Sequence, residues 1–276
     1  MSYKYKTIVI TGPTGSGKTQ ISIELGKLLC YPIVNMDSKQ FYNSNKILSA
    51  SPTDLEKNTI PHFLFNHIPY NQKYSLGQWV EDIRNIDKKI LVGGSIFYLK
   101  SLMAGIPIVN ISTETKNFIN NITDKYNYLK SLIPNTFIHQ NDEYRINRLL
   151  EFYIETGYDF HTFPNKYKED MYIIYIDAKN IEQRIIQRTN NIFNSAVSEF
   201  LVYGYHKELE VIIGYKDIYE YINGNVNMES CINNININTL NYVKYQRKTL
   251  NSVKCNYYID DINKIDYNKI LSEIIL

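Results

Sequence analysis

The sequence predicts an α/β fold, a parallel sheet flanked by helices, with a small and mainly helical insert. Three observations carry that prediction. Apolar runs of strand length, Ile8-Val9-Ile10, Tyr31 to Met36, Lys88 to Val92 and Met171 to Ile176, alternate with stretches patterned as helices. A glycine-rich turn follows the first run and opens a helix, the connection with which α/β proteins meet phosphate groups. After Pro107 the text changes character, and from Thr113 to Leu132 it is polar, Asn-rich and only weakly periodic. An insert is therefore expected over residues 111–170, between core segments 1–110 and 171–276.

The turn after the first strand reads Thr11, Gly12, Pro13, Thr14, Gly15, Ser16, Gly17, Lys18, Thr19 and fills the pattern GxxxxGKT. Glycines let backbone amides turn inward around a phosphate. Lys18 adds a point charge, Thr19 a hydroxyl suited to Mg²⁺, and the helix its positive N-terminal end. Ile21, Leu25 and Leu28 share one face of that helix. The plain alternative is a turn capped by Ser16 before an ordinary helix. With strand, loop and helix in register, the sheet reads as P-loop NTPase-like, although any diphosphate or triphosphate fits such a loop.

The second strand ends in Asp37-Ser38, and open α/β sheets gather their ligands at strand carboxyl ends. Asp37 is accordingly a candidate for chemistry, or else a cap or turn carboxylate. Ser49 to Asp54 reads as a loop and a helix start, Pro61 to Ile68 has strand character, and Tyr74-Ser75-Leu76 opens a helix through Trp79 and Ile83. His62 and His67 lack a metal-binding spacing and are expected to be structural. The third core strand ends in Gly93-Gly94-Ser95, where a Walker-B strand would supply an Asp for Mg²⁺. That absence disfavours a motor or switch NTPase and leaves a small-molecule kinase or a transferase acting on a pyrophosphate.

A helix from Phe97 to Ala104 is stopped by Gly105-Ile106-Pro107. In the insert, Asn141-Asp142-Glu143 caps a helix with Leu149, Leu150 and Tyr153 inward, and Arg145 and Arg148 are expected to pair with Glu151 and Glu155. After the strand at Met171 to Ala178, a helix carries Arg184 and Arg188 at i and i+4, able to close on one phosphate. Gly214-Tyr215-Lys216 begins another helix, and Gly224 ends it. From Thr239 to Lys254 a helix carries Lys244, Arg247, Lys248 and Lys254, a basic stripe for phosphate-backbone contact or merely a solvated face. The strand-like Asn256 to Asp260 and a helix from Tyr267 close the chain.

Composition sets outer limits. A formal net charge of +2 excludes an overall basic protein, so any nucleic-acid surface is a local patch. Cys30, Cys231 and Cys255 lie far apart with no CxxC, which argues against a zinc site or disulfide framework and for a reducing, cytoplasmic setting. No targeting signal is expected at the N-terminus, and no apolar run reaches membrane length.

In order along nearly the whole chain, these motifs resemble the tRNA dimethylallyltransferases, also called tRNA isopentenyltransferases. Gly12 to Thr19 resembles GPTxSGKT, Asp37 to Tyr42 is similar to DSxQxY, and Pro61 to Leu64 with Tyr74-Ser75 looks like PHHL and YS. Leu91 to Ser95 with Tyr98-Leu99-Lys100 resembles LVGGTGLYLKAL; Asn141 to Gly157 resembles NDPQRVxRALEVYxxTG; Gly214 to Lys216 matches GYK; and Thr239 to Gln246 is a faded TRQYAKRQ. The chain departs from the family at Ser51, Leu240 and Asn241.

The resemblance implies transfer of the dimethylallyl group of dimethylallyl diphosphate to the exocyclic amine of the adenosine 3′ of the anticodon in tRNA. It implies Asp37 as general base or hydrogen-bond acceptor for the adenine amine, Ser95 as a second polar contact, and the loop Gly12, Pro13, Thr14, Gly15, Ser16, Gly17, Lys18, Thr19, with Arg188, as the diphosphate grip. Mg²⁺ at Thr19 is the implied cofactor. Implied tRNA contacts are Asp37, Ser38, Lys39, Gln40, Tyr144, Arg145, Ile146, Asn147, Arg148, Gly214, Tyr215 and Lys216, beside the basic Lys244, Arg247 and Lys248. The partners are then tRNA, through its anticodon stem-loop, and dimethylallyl diphosphate, with no membrane and a monomeric enzyme. A nucleoside kinase would share the loop and arginines, and a degenerate tRNA-binding paralogue would keep the basic stripe.

Overall fold

The computed structural model describes residues 3–164 and 166–275. In chain order these form β1 (Thr7–Thr11), α1 (Lys18–Leu29), β2 (Ile33–Asn35), α2 (Asp54–Lys57), β3 (His62–Phe63), α3 (Leu76–Arg84), β4 (Lys89–Val92), α4 (Ile96–Ala104) and β5 (Ile106–Pro107). Then come α5 (Thr113–Asn120), α6 (Lys125–Leu132), α7 (Glu143–Thr156), β6 (Lys166–Tyr167), β7 (Met171–Ile176), α8 (Ile181–Tyr203) and a 3₁₀ turn at Lys207–Val211. The chain closes with α9 (Tyr215–Ile222), α10 (Met228–Leu250), β8 (Tyr257–Ile259) and α11 (Tyr267–Ile274).

Two compact units divide this order, residues 1–100 with 169–276, and residues 101–168. In the first, six parallel strands run β3-β2-β4-β1-β7-β8. From β1 the chain goes to one side for β2, β3 and β4, and to the other for β7 and β8. The order therefore reverses at the carboxyl end of β1, the position at which open α/β sheets leave a crevice for ligands. Ile8, Ile10, Ile33, Ile90, Ile174 and Ile176 of the strands and Ile21, Leu25 and Leu29 of α1 share one core. Leu28, expected on that face, falls at its edge in the last turn and is 54% exposed, and Leu29 takes the buried place.

At the amino end of the sheet the charges close on one another. Lys89 Nζ lies 2.8 Å from Glu169, and Glu169 also accepts from Thr7 Oγ1 at 2.6 Å. The Lys89 side chain is 3% exposed and that of Glu169 12%, so each charge is compensated where water cannot do it.

The second unit starts earlier than the change in sequence character, because β5 pairs antiparallel with β6 and closes the segment on itself. Ile119, Leu129, Ile133, Ile146 and Leu150 form its core, with Leu149 and Tyr153 packed against it. Asp142 caps α7, as its sequence suggests, through an acceptor bond from Arg145 N at 3.2 Å. Arg148 pairs with Glu151, but Arg145 pairs backward with Asp142, at 3.1 Å. Glu155 instead accepts from Ser112, Oγ at 2.9 Å and N at 3.1 Å.

Candidate active site

The loop after β1 is shaped by its neighbours as much as by its glycines. Gly12 has φ +151°, and a Cβ there would lie 2.1 Å from the Ile176 carbonyl oxygen of β7. Only glycine lets the loop leave the sheet so close to the next strand. Gly93 meets the same limit on the other side, since its Cβ would lie 2.2 Å from the Met36 carbonyl oxygen. These approaches gather the ends of β1, β2, β4 and β7 around a cavity of about 510 Å³.

Lys18, Thr19, Asp37, Lys39, Arg188 and Tyr242 are among its lining residues. Lys18 Nζ donates to the carbonyls of Gly12, at 3.0 Å, and Pro13, at 2.8 Å. Burial lowers its pKa to about 8, with the nearby Arg188 charge pushing the same way and Asp37 opposing. Arg188 reaches from α8 and donates to the Leu48 carbonyl at 3.2 Å, and burial lowers its pKa too. Neither cation has a carboxylate within ion-pair distance among the described residues. Arg184 stands over the same loop, its Nη2 lying 3.3 Å from where a Cβ on Gly17 would be. Two uncancelled positive groups thus join the free amides at the head of α1, a composition suited to an anion.

Asp37 sits in a turn held by Asn35, a fully buried residue at the end of β2. Asn35 Oδ1 accepts from Asp37 N at 2.7 Å, while its Nδ2 donates to the carbonyls of Asp37 and Leu64 at 3.1 and 3.0 Å. Asp37 Oδ1 accepts from Lys39 N at 3.0 Å, and Oδ2 takes no hydrogen bond among the described residues. Asp37 is therefore both things its sequence allowed, a turn carboxylate and a carboxylate at the cavity. Ser95 Oγ accepts from Ser38 N at 3.2 Å, which ties the turn after β4 to the turn after β2. Tyr242 on α10 lines the cavity, and burial with the Asp37 charge pushes its hydroxyl up to about 12.

Several expected contacts are committed elsewhere. Ile146 is 3% exposed in the core of the second unit, so its side chain offers nothing to an RNA. Tyr215 is fully buried and donates to the Gly204 carbonyl at 2.8 Å. Gln40 donates to the carbonyls of Ser49 and Ala50, both at 2.9 Å, and shapes the rim. The basic stripe breaks up, because Arg247 makes a bidentate pair with Asp177, at 2.7 and 2.9 Å, and Lys254 lies beyond the cap of α10 at Asn251. Lys244 and Lys248 remain exposed, as do Tyr144, Arg145 and Lys216. Sequence reasoning missed Asn35, Tyr242 and Gln246 as parts of the site; the last bonds both Thr14 N and the Gly94 carbonyl. An asparagine ending an otherwise apolar strand was the available signal for the first.

No group of three or more His, Cys, Asp or Glu side chains among the described residues could hold a metal. Thr19, on the cavity wall, offers one hydroxyl and Asp37 one carboxylate. Mg²⁺ keeps several waters and takes many of its ligands from phosphates, so this sparse set fits an ion that arrives with a diphosphate.

The family model for IPP transferase matches residues 40–252. The chain belongs to the IPP transferase family. The tRNA dimethylallyltransferase of Pelagibacter ubique is 32% identical over 89% of this chain and 88% of its own length. That of Nautilia profundicola is 31% identical over 96% and 99%. A eukaryotic dimethylallyltransferase acting on tRNA, seen in a crystal structure, superposes with a TM-score of 0.75 at 24% identity, over 97% of this chain and 77% of that one. At that identity the superposition speaks for the fold alone.

Proposed function

We propose that this IPP transferase family member moves the dimethylallyl group of dimethylallyl diphosphate to the exocyclic amine of the adenosine 3′ of the anticodon in tRNA. One observation carries the reading: among the described residues Lys18 and Arg188 donate to backbone carbonyls and pair with no carboxylate, on a cavity that also holds the Asp37 carboxylate. Such a site can stabilise a departing anion and accept a proton in the same enclosure. The turn after β4 carries Gly93-Gly94-Ser95 in place of a metal-binding acid, which suits a diphosphate that leaves whole and not a phosphoryl group in transfer.

In this reading the adenosine leaves its stack to enter the cavity, since a stacked base cannot reach buried groups. The allylic carbon–oxygen bond breaks, its electron pair departs with pyrophosphate, and the adenine nitrogen forms the new carbon–nitrogen bond. Asp37 takes the proton that nitrogen loses, and Lys18, Arg188 and the amides of Lys18 and Thr19 hold the departing charge. Thr19 would hold Mg²⁺ where it accompanies the diphosphate, and the ion would supply further positive charge there. Asn35 keeps the Asp37 turn fixed, so the carboxylate is aimed before substrate arrives. Outside the cavity the exposed Lys216, Lys244 and Lys248 serve the RNA backbone on the first unit, and Tyr144 and Arg145 on the second, while Lys39 serves it from the cavity wall.

The test is mass spectrometry of tRNA nucleosides after incubation of the chain with unmodified tRNA, dimethylallyl diphosphate and Mg²⁺. An adenosine carrying one five-carbon prenyl group, confined to the position 3′ of the anticodon, is expected. Unchanged adenosine at that position, with the chain folded and in excess, contradicts the reading.

A further inference from the structure

We infer that Gln246 is a positioning residue for the transfer, locking the phosphate loop to the turn after β4; this rests on the proposed function and adds a residue to its machinery. Gln246 is fully buried on α10. Its Oε1 accepts from Thr14 N at 3.0 Å, and its Nε2 donates to the Gly94 carbonyl at 3.0 Å. Those two backbone atoms belong to the two halves of the site. Thr14 lies in the loop that grips the leaving diphosphate. Gly94 lies in the turn that carries Ser95, which in turn bonds Ser38 beside Asp37. One side-chain amide therefore spans from donor grip to proton acceptor.

The chemistry of the side chain suits that place. An amide presents an acceptor and a donor together, whereas a glutamate would set a carboxylate against the Gly94 carbonyl and an asparagine is one methylene shorter. The Thr14 amide, held by Gln246, is thereby withdrawn from those the loop can offer an anion. The next residue strengthens the hold, since Arg247 grips Asp177 just past β7. Consecutive residues of α10 thus fasten the ends of β4, β1 and β7. The fit is close from the opposite side as well: a Cβ on Gly94 would lie 2.5 Å from Gln246 Nε2 and 3.2 Å from the Gly12 carbonyl oxygen.

A glutamine that merely stabilised the fold would alter melting without altering ligand binding. Gln246→Met keeps length and volume and removes both hydrogen bonds, while Gly94→Ala displaces the amide and leaves Gln246 in place. We expect each variant of the full chain to weaken binding of inorganic pyrophosphate with Mg²⁺ about tenfold, the size of one or two lost buried hydrogen bonds. The donor KM should rise and kcat fall, while tRNA affinity stays unchanged. In the double variant the losses should not add, because both substitutions break the same bridge. Pyrophosphate affinity and donor KM equal to wild type in a folded Gln246→Met chain overturn the inference, and so do additive losses in the double variant. Pyrophosphate binding needs no tRNA, so a wild-type chain that binds pyrophosphate yet prenylates nothing refutes the proposed function and leaves the bridge standing on its own measurement.

Discussion

The two ends of one parallel sheet treat charge in opposite ways. At the amino end Lys89 meets Glu169 at 2.8 Å, and Glu169 takes a further bond from Thr7. At the carboxyl end Lys18 and Arg188 donate to backbone carbonyls, and Asp37 accepts from a backbone amide. The first arrangement cancels buried charge by pairing, which makes it sensitive to loss of a partner and irrelevant to ligands. The second leaves net charge facing a cavity, and the lowered pKa of Lys18 is the sign of that cost. Burial alone therefore does not mark a functional charge. What marks it is burial with neutral partners only.

Breaking the carboxyl end should have the largest effect. Asp37→Ala removes the proton acceptor and is expected to slow transfer by about 10² to 10⁴ in single-turnover rapid quench, the usual worth of a positioned base. Separate titrations should find donor and tRNA affinities within a few fold of wild type. Transfer at the wild-type rate would make Asp37 a turn residue alone.

Breaking the amino end should do the reverse. Glu169→Gln leaves the Lys89 ammonium buried without its counter-charge, and urea unfolding should record a loss of about 3 kcal/mol. Turnover of the folded fraction should match wild type. A normal unfolding curve with reduced turnover would erase the distinction between the two ends.

The fold and half of this contrast were legible in the sequence because they rest on short-range patterns. The loop from Gly12 to Thr19 is read from eight consecutive residues, and its neighbouring strands from apolar runs. The strand ends that meet there follow from the crossover rule for α/β sheets. Long-range pairing was not legible. Arg247 has the spacing of a solvated basic stripe with Lys244 and Lys248, and its partner Asp177 lies 70 residues away. Gln246 looks like one more polar helix residue until its amide is found between Thr14 and Gly94. Ile146 shares a helix with exposed Tyr144 and Arg145, and only the packing of α7 on α5 and α6 puts it in a core. Composition registers the second unit as a loss of periodicity but not the β5–β6 pairing that bounds the segment.

If the phosphate loop serves a leaving diphosphate, the most direct measurement offers the chain an allylic diphosphate and ATP at once. Unmodified tRNA, Mg²⁺, ATP and dimethylallyl diphosphate are incubated together, and ATP, pyrophosphate and modified adenosine are followed in time. One pyrophosphate for each prenylated adenosine is expected, while ATP stays intact. Multiple turnovers of ATP, stimulated by a nucleoside acceptor and without prenylated adenosine, would contradict it.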